Sequence, residues 1–358
     1  MTAKSRPRLN GLVFSDLHLF PHGGTFSRVD DGVEALRWVE EQYIEKGCNH
    51  LFFLGDWSHD KHRTHNIVTA RTEEVLTHWR DDLGIRMTFL PGNHDCPHVT
   101  DPRDAMSYLK PYGQVHRQPF AYFYEDVEVV CVPWCGPHDR TWNVIQAATE
   151  SLRKHPQHDD MRSTLLLAHL DLVGAAMTNS TRSSEGLDPM ALGQLFDMVL
   201  LGHYHTFNMV TPKVWYVGSL LSTRFDEEGT RGAVRYMDGG AELIINNVSP
   251  AHLKLRPEDL SEERCNNNYI RILGSPTDNV AELRQRALDF GARTARVVPD
   301  ASVAADTDEE GVTLDKAACQ LTDEDLLARW AEKSAPDGLD QERLKSEGEK
   351  ILKKAREA

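Results

Sequence analysis

The sequence predicts a layered α/β domain, followed by a small β-α-β module and terminal helices. Three observations carry this. Six short apolar runs recur through the first two-thirds of the chain, amphipathic stretches lie between them, and five runs end at once in a polar cluster. The runs are residues 12–14, 51–54, 87–90, 129–132, 165–168 and 198–201, rich in Val, Leu, Ile and Phe. Near-continuous apolar runs of this length are what strands buried on both faces look like.

Between the first two runs, Val29, Val33, Leu36, Val39 and Tyr43 recur every three or four residues, and Gly47 follows. That spacing predicts a helix with a glycine stop. Tyr216 and Val217 with residues 233–237 read as a closing antiparallel hairpin, and residues 243–246 as a further strand. After about Val248 the texture changes: residues 269–273 read as a strand, 280–290 as a helix and 295–298 as a strand. Residues 301–318 are acidic and aperiodic, as linkers are. Thr322 then precedes Asp323, Glu324 and Asp325, a helix start, with Leu326, Leu327 and Trp330 on one face. A last helix carries Leu344, Ile351 and Leu352. The expected division is therefore 1–248 for the layered domain, 249–300 for the module, 301–320 for the linker and 321–358 for a helical segment. No internal repeat is found.

At 358 residues, 40% hydrophobic and 27% charged, the chain has ordinary globular composition. Residues 1–8 are polar and basic without an apolar stretch behind them, and no run of 18 apolar residues occurs, so neither a leader nor a membrane span is expected. The six cysteines (48, 96, 131, 135, 265 and 319) form no CxxC pair. They read as reduced, mostly buried thiols of a cytoplasmic protein. The net charge of −15 opposes nucleic-acid binding by general electrostatics. Residues 300–358, however, hold 16 acids against 9 bases and so account for −7 of it. The remaining −8 includes carboxylates that a metal centre would neutralise.

The polar clusters are Asp16-Leu-His18, Gly55-Asp56, Gly92-Asn93-His94-Asp95, His169 and Gly202-His203-Tyr-His205. Strand ends collect side chains along one edge of an α/β sheet, where ligands bind. Carboxylates and neutral imidazoles suit divalent transition ions, and an Asn amide oxygen adds a neutral hard ligand. One carboxylate can bridge two ions about 3.5–4 Å apart that clamp a phosphate. Each fragment alone is weak, but the ordered set predicts a binuclear metal site. Magnesium prefers oxygen-only surroundings, so the histidines favour Mn²⁺, with Zn²⁺ and Fe²⁺ chemically suited too.

This series resembles the calcineurin-like metallophosphoesterase signature, complete and in order. The resemblance implies a β-sandwich flanked by helices, with a metal-activated water hydrolysing a phosphoester. It implies that Asp16, His18 and His205 hold one ion, that Asn93, His169 and His203 hold the second, and that Asp56 bridges. His94 falls at the family's acid histidine, which protonates the leaving oxygen.

Within the family the chain is similar to SbcD-type double-strand-break nucleases, which act in DNA repair and recombination. Phosphatases of the family read GDxxDR, whereas here His59 takes the slot of the second Asp, as a histidine does in those nucleases. Gly218-Ser219 followed by Arg224 resembles their closing PGS segment, with Val217 in place of proline. The module at 249–300 sits where they carry a DNA-capping domain, and the terminal helices where they dock an SbcC-like coiled-coil ABC ATPase. A homodimer through helices of the first domain is also implied, although the sequence shows no apolar patch for it. The expectation is thus a Mn²⁺-dependent DNA nuclease, exo- or endonucleolytic. The rivals are another phosphodiesterase or phosphoprotein phosphatase of the family, and a non-catalytic scaffold. His22, His62, His65 and His98 read as loop residues, Cys131 and Cys135 as packing, and Trp57 and Trp134 as core or rim.

Overall fold

The computed structural model describes residues 6–21, 27–96, 105–177, 181–225, 227, 229–275, 277–300 and 350. The chain divides into two compact units, Met1–Val298 and Pro299–Ala358. The expected linker and helical segment, together with His22, His98 and Cys319, lie outside the described residues apart from Lys350.

The first elements are β1 (Asn10–Phe14), α1 (Ser27–Glu45), β2 (His50–Phe53), α2 (Asn66–Asp81), β3 (Met87–Phe89), β4 (Gln114–Val115), β5 (Phe120–Phe123) and β6 (Val127–Val132). Next come α3 (His138–Arg153), β7 (Ser163–His169), α4 (Pro189–Leu195), β8 (Met198–Gly202), β9 (Asn208–Thr211) and β10 (Val214–Tyr216). The remainder are β11 (Gly232–Met237), β12 (Gly240–Ile245), β13 (His252–Leu255), α5 (Glu262–Cys265), β14 (Tyr269–Gly274), α6 (Val280–Asp289) and β15 (Thr294–Pro299).

Two six-stranded sheets result, ordered β12-β11-β1-β2-β3-β4 and β5-β6-β7-β8-β10-β9, with β13-β14-β15 as a third. In the first, β1 to β4 are parallel and β11 closes antiparallel on β1. In the second, β6, β7, β8 and β10 are parallel.

The two-residue alternation of a strand explains why the runs were continuous. Leu12, Phe14, Leu51 and Phe53 face a core with Val33 and Leu36 of α1 and Leu76 and Trp79 of α2. The intervening Val13, Phe52 and Leu54 meet Leu165, Leu167 and Leu200 of the second sheet. On that sheet's other side, Leu166, Ala168, Val199 and Leu201 pack with Ile145 and Leu152 of α3 and Leu192 of α4. The order is helix, sheet, sheet, helix, the expected sandwich flanked by helices.

One expectation is overturned. Tyr216 and residues 233–237 do not form a hairpin, because β10 lies in the second sheet against β8 and β9 while β11 lies in the first. The antiparallel partner of β11 is β12, across the tight Asp238-Gly239 turn, where both residues have positive φ. In the third sheet β14, α6 and β15 match the expected module, and β13, which pairs parallel with β14, was not anticipated.

No helix among the described residues is long and apolar enough to cross a membrane. Cys48, Cys131, Cys135 and Cys265 are buried and free. Burial pushes the Cys135 thiol up to about 11, so it packs rather than reacts.

Leu167 is fully buried between the sheets. Leu167→Ala should cost about 2–5 kcal/mol through the cavity it leaves. A chemical-denaturation midpoint shifted with an unchanged m-value checks this.

Candidate metal centre

Parallel strands put their C-terminal ends on one edge, and the clusters emerge there. Asp16 and His18 follow β1, Asp56 follows β2, Asn93 and His94 follow β3, His169 ends β7, and His203 and His205 follow β8. Main-chain bonds lace the exits together: Asp16 N donates to Gly55 O (3.0 Å), and His18 N donates to Asp56 O (3.0 Å). The Asp95 carboxylate accepts from four amides, those of Asp56 (2.7 Å), Trp57 (3.1 Å), Ser58 (3.3 Å) and Gly92 (2.9 Å). It thereby fixes the β2 and β3 turns to each other. Burial pushes its pKa up to about 7 against those four donors.

The turns are tight enough to strain the chain. Asp16, His18, Asp56 and His203 all have positive φ (55°, 45°, 61° and 112°) without being glycine. Such strain collects at functional sites, at about 1–3 kcal/mol per residue. At Gly92 a Cβ would lie 2.6 Å from Asp56 N and closer still to its carboxylate, so only glycine fits.

The structure brings all nine sequence-predicted site residues together. Asp16, His18 and His205 form one group, and Asp56, His169 and His203 a second, each with one donor atom per residue mutually within 4.8 Å. Asn93 joins the second, its Oδ1 2.9 Å from His169 Nε2 and 3.0 Å from His203 Nδ1. Asp56 lies between them, Oδ2 3.5 Å from His18 Nε2 and Oδ1 3.7 Å from His169 Nε2. His59 and His94 form a further group with His18.

The hydrogen bonds decide which ring nitrogens are lone pairs. His169 Nδ1 donates to Leu54 O (2.6 Å), and burial holds this imidazole down to about 4, so it is neutral and Nε2 is bare. The His203 Nε2 contact to Asp171 Oδ1 (2.5 Å) and the His205 Nδ1 contact to Glu227 Oε1 (2.5 Å) likewise spend one nitrogen each. His203 Nδ1, His169 Nε2 and Asn93 Oδ1 then converge as electron-pair donors, the two nitrogens 3.3 Å apart. His205 Nε2 faces His18 Nε2 at 2.9 Å. Asp16 Oδ1, fully buried, has no hydrogen-bond partner. Burial, then the Asp16 and Asp95 charges, push Asp56 well above the usual carboxylate range. Lone pairs facing lone pairs around buried carboxylates fit divalent cations, and the oxygen and imidazole donors suit transition ions.

His94 sits at the rim. Its main-chain N donates to Asp56 Oδ1 (2.8 Å), and its Nδ1 donates to the His59 carbonyl (2.6 Å). The His59 ring stacks beside it, centroids 5.5 Å apart at 25°. His59 therefore meets His94 through its carbonyl and ring face. Trp57 is fully buried, edge-on to Phe53, and Trp134 lies parallel to His203 with centroids 5.7 Å apart.

Residues 11–207 match the family model described as calcineurin-like phosphoesterase. The chain belongs to the calcineurin-like phosphoesterase family. It is a metal-dependent phosphoesterase. Among solved structures, a dimetal phosphatase from Danio rerio is similar over 64% of this chain and 93% of its own, at 11% identity and a TM-score of 0.40.

Sequence reasoning missed three supporting residues of this phosphoesterase. Asp95 lies inside a recognised motif, but its four amides could not be read from spacing. Asp171, two residues after His169, offered an HxD pattern on a strand exit. Glu227, 22 residues past His205, offered no signal. Burial would raise the Glu227 carboxyl, but the His205 hydrogen bond and charge, the Thr223 amide and Arg231 outweigh it and bring it down to about 2.

Asp56→Ala removes the carboxylate that lies between imidazoles of both groups. Metal content should fall from two ions to below one per chain, read by mass spectrometry of the dialysed protein, with hydrolysis of bis-p-nitrophenyl phosphate abolished. A variant that keeps two ions would show that Asp56 does not bridge.

Proposed function

We propose that this phosphoesterase is a Mn²⁺-dependent DNA nuclease of SbcD type, acting in repair and recombination beside an SbcC-like coiled-coil ABC ATPase. The observation that carries the reading is the slot after Asp56. There an imidazole, His59, stands where the family's phosphatases place a carboxylate, and His94 is oriented by a main-chain carbonyl. Two further features support it. The Gly218-Ser219 segment leads into the loop that carries Glu227, and the three-stranded module packs on α1. Residues 249–300 hold eight basic and eight acidic residues, a neutral surface in a chain of −15.

Asp16, His18 and His205 would hold one ion, Asn93, His169 and His203 the other, with Asp56 between them. Two such ions, when bound, supply Lewis-acid activation of the phosphoryl group and of attacking water. The rest falls to the chain. Asp171 and Glu227 hold the rings of His203 and His205. His94 donates through Nδ1 to the His59 carbonyl, so its transferable proton is on Nε2, from which it protonates the leaving 3′- or 5′-oxygen. Burial lowers the His94 pKa, and an anionic phosphodiester beside it raises it back toward working pH.

The rival reading, a small-molecule phosphodiesterase or phosphoprotein phosphatase, shares this site. A non-catalytic scaffold fits poorly, since no ligand position is lost and His94 is in place. The Mn²⁺-loaded protein should cleave linear DNA and bis-p-nitrophenyl phosphate in preference to the monoester p-nitrophenyl phosphate. His94→Ala should lower the diester rate about 10²–10⁴-fold while keeping both ions. A monoester preference, or no DNA cleavage, would return the protein to the phosphatase reading.

The partner rests on the apolar stripes that the sequence leads one to expect at 321–358, outside the described residues apart from Lys350. Short amphipathic helices are marginal alone in water and stabilise by laying that face in a groove. Deleting residues 320–358 should leave hydrolysis of the small diester intact and remove co-purification with the ATPase. Aggregation or a lost thermal transition would assign those residues to this chain's own core.

A further inference from the structure

The loop after β10 touches both the metal centre and the third sheet. Within it Glu227 bonds His205, and Thr223 holds that carboxylate through its amide (2.9 Å to Oε2) and its hydroxyl (3.0 Å to each oxygen). Two residues before Glu227, the Phe225 ring turns the other way. Arg271 of β14 lies over one face, its Cζ 4.2 Å from the ring centroid. His252 of β13 meets it edge-on, with centroids 4.8 Å apart at 90°. His252 in turn stacks on Tyr269 of β14 at 4.7 Å and 9°.

Tyr269 is anchored to the first domain. Its hydroxyl donates to Asp31 Oδ2 of α1 (2.8 Å), Arg28 pairs with the same oxygen (2.9 Å), and Arg293 pairs with Oδ1. Arg28 lies over the Tyr269 ring (5.0 Å) and its Nη2 donates to Ser222 O (2.7 Å), at the start of the same loop. Asp31 is fully buried, so its charge is tolerable only while both guanidiniums stay on it.

We infer that the column Arg271–Phe225–His252–Tyr269 makes the three-stranded module a positioning device for the metal centre, holding the loop so that Glu227 stays on His205. Aromatic and cation–ring contacts of this kind contribute little singly and much as a connected set. A carboxylate on the far nitrogen of a ligating imidazole fixes its tautomer and aim. The module thus governs the metal group of Asp16, His18 and His205 without touching it. The inference rests on the metal-dependent chemistry of the family and is independent of whether the substrate is DNA.

Mn²⁺ alone is the probe, measured by equilibrium dialysis of the full chain. Phe225→Ala should weaken one of the two Mn²⁺ sites about tenfold, and Glu227→Gln should weaken the same site at least as much. The double variant should be no weaker than Glu227→Gln alone, because both act through one contact. Phe225→Tyr, which keeps the ring, should restore wild-type binding. Wild-type affinity in Phe225→Ala overturns the inference, and so do additive losses in the double variant. Should Phe225→Ala fail to fold, Arg271→Ala removes the cation from the column and keeps the Phe225 ring, and it is judged by the same two outcomes. No DNA enters the measurement, so a protein that fails to cleave DNA can still pass it.

Discussion

Unprotonated nitrogens and amide oxygens facing one another across about 3 Å are a repulsive arrangement, and the rest of the structure exists to impose it. His169 Nε2, His203 Nδ1 and Asn93 Oδ1 converge with no hydrogen to share, beside two buried carboxylates of which Asp16 Oδ1 has no partner. In water these groups would separate and hydrate. In the folded chain each is held by a bond on its far side: His169 by Leu54 O, His203 by Asp171, His205 by Glu227. Desolvation of charge on this scale is relieved by protonation or by cations, and donors that converge on one point suit cations.

The imposition has a conformational cost, visible in the positive φ of Asp16, His18, Asp56 and His203, and the sheets are what sustain it. Each strained residue lies one to four positions beyond a strand whose two faces are both packed. A displaced turn would therefore drag Val13 or Leu54 out of the core between the sheets. Asp95 adds the other half of the restraint. Its four amides come from both the β2 and β3 turns, so neither relaxes without stranding buried donors. Strength of packing and precision of the site are thus one property here.

Much of this was legible in the sequence, for a physical reason. Strands buried on both faces read as unbroken apolar runs, and the six runs coincide with β1, β2, β3, β6, β7 and β8 to within two residues at either end. Motif residues on tight strand exits have little freedom, so their order along the chain predicted their gathering. Sheet membership was not legible. The apolar residues at 216–217 and 233–237 looked like partners because they are near in sequence, yet Tyr216 continues the sheet of β8 and Ala233 that of β1. Local pattern carries periodicity and burial but not which of two parallel layers a strand joins. Glu227 escaped for a related reason: it lies on an irregular loop, and its role depends on where Phe225 and Arg231 hold that loop.

That loop is where the metal centre and the third sheet meet. Gly218, at φ 78°, brings the chain so close to the His205 turn that a Cβ would fall 2.7 Å from Phe207 N. Ser219 then bridges to Ser15 beside Asp16, and its hydroxyl donates to His205 O and Leu221 O. Arg231 closes the loop from below, with Nη1 on His205 O and Nη2 on Glu227 O (2.6 Å). It is buried among these carbonyls, so removing its guanidinium would take a charged donor from both and leave His205 O to Ser219 alone. One segment of fourteen residues, from Gly218 to Arg231, therefore buttresses the β1 exit, orients the His205 imidazole and receives the third sheet. A metal centre assembled from distant strands needs such a tie, because the strands fix where each side chain starts and only the loops fix where its ring points.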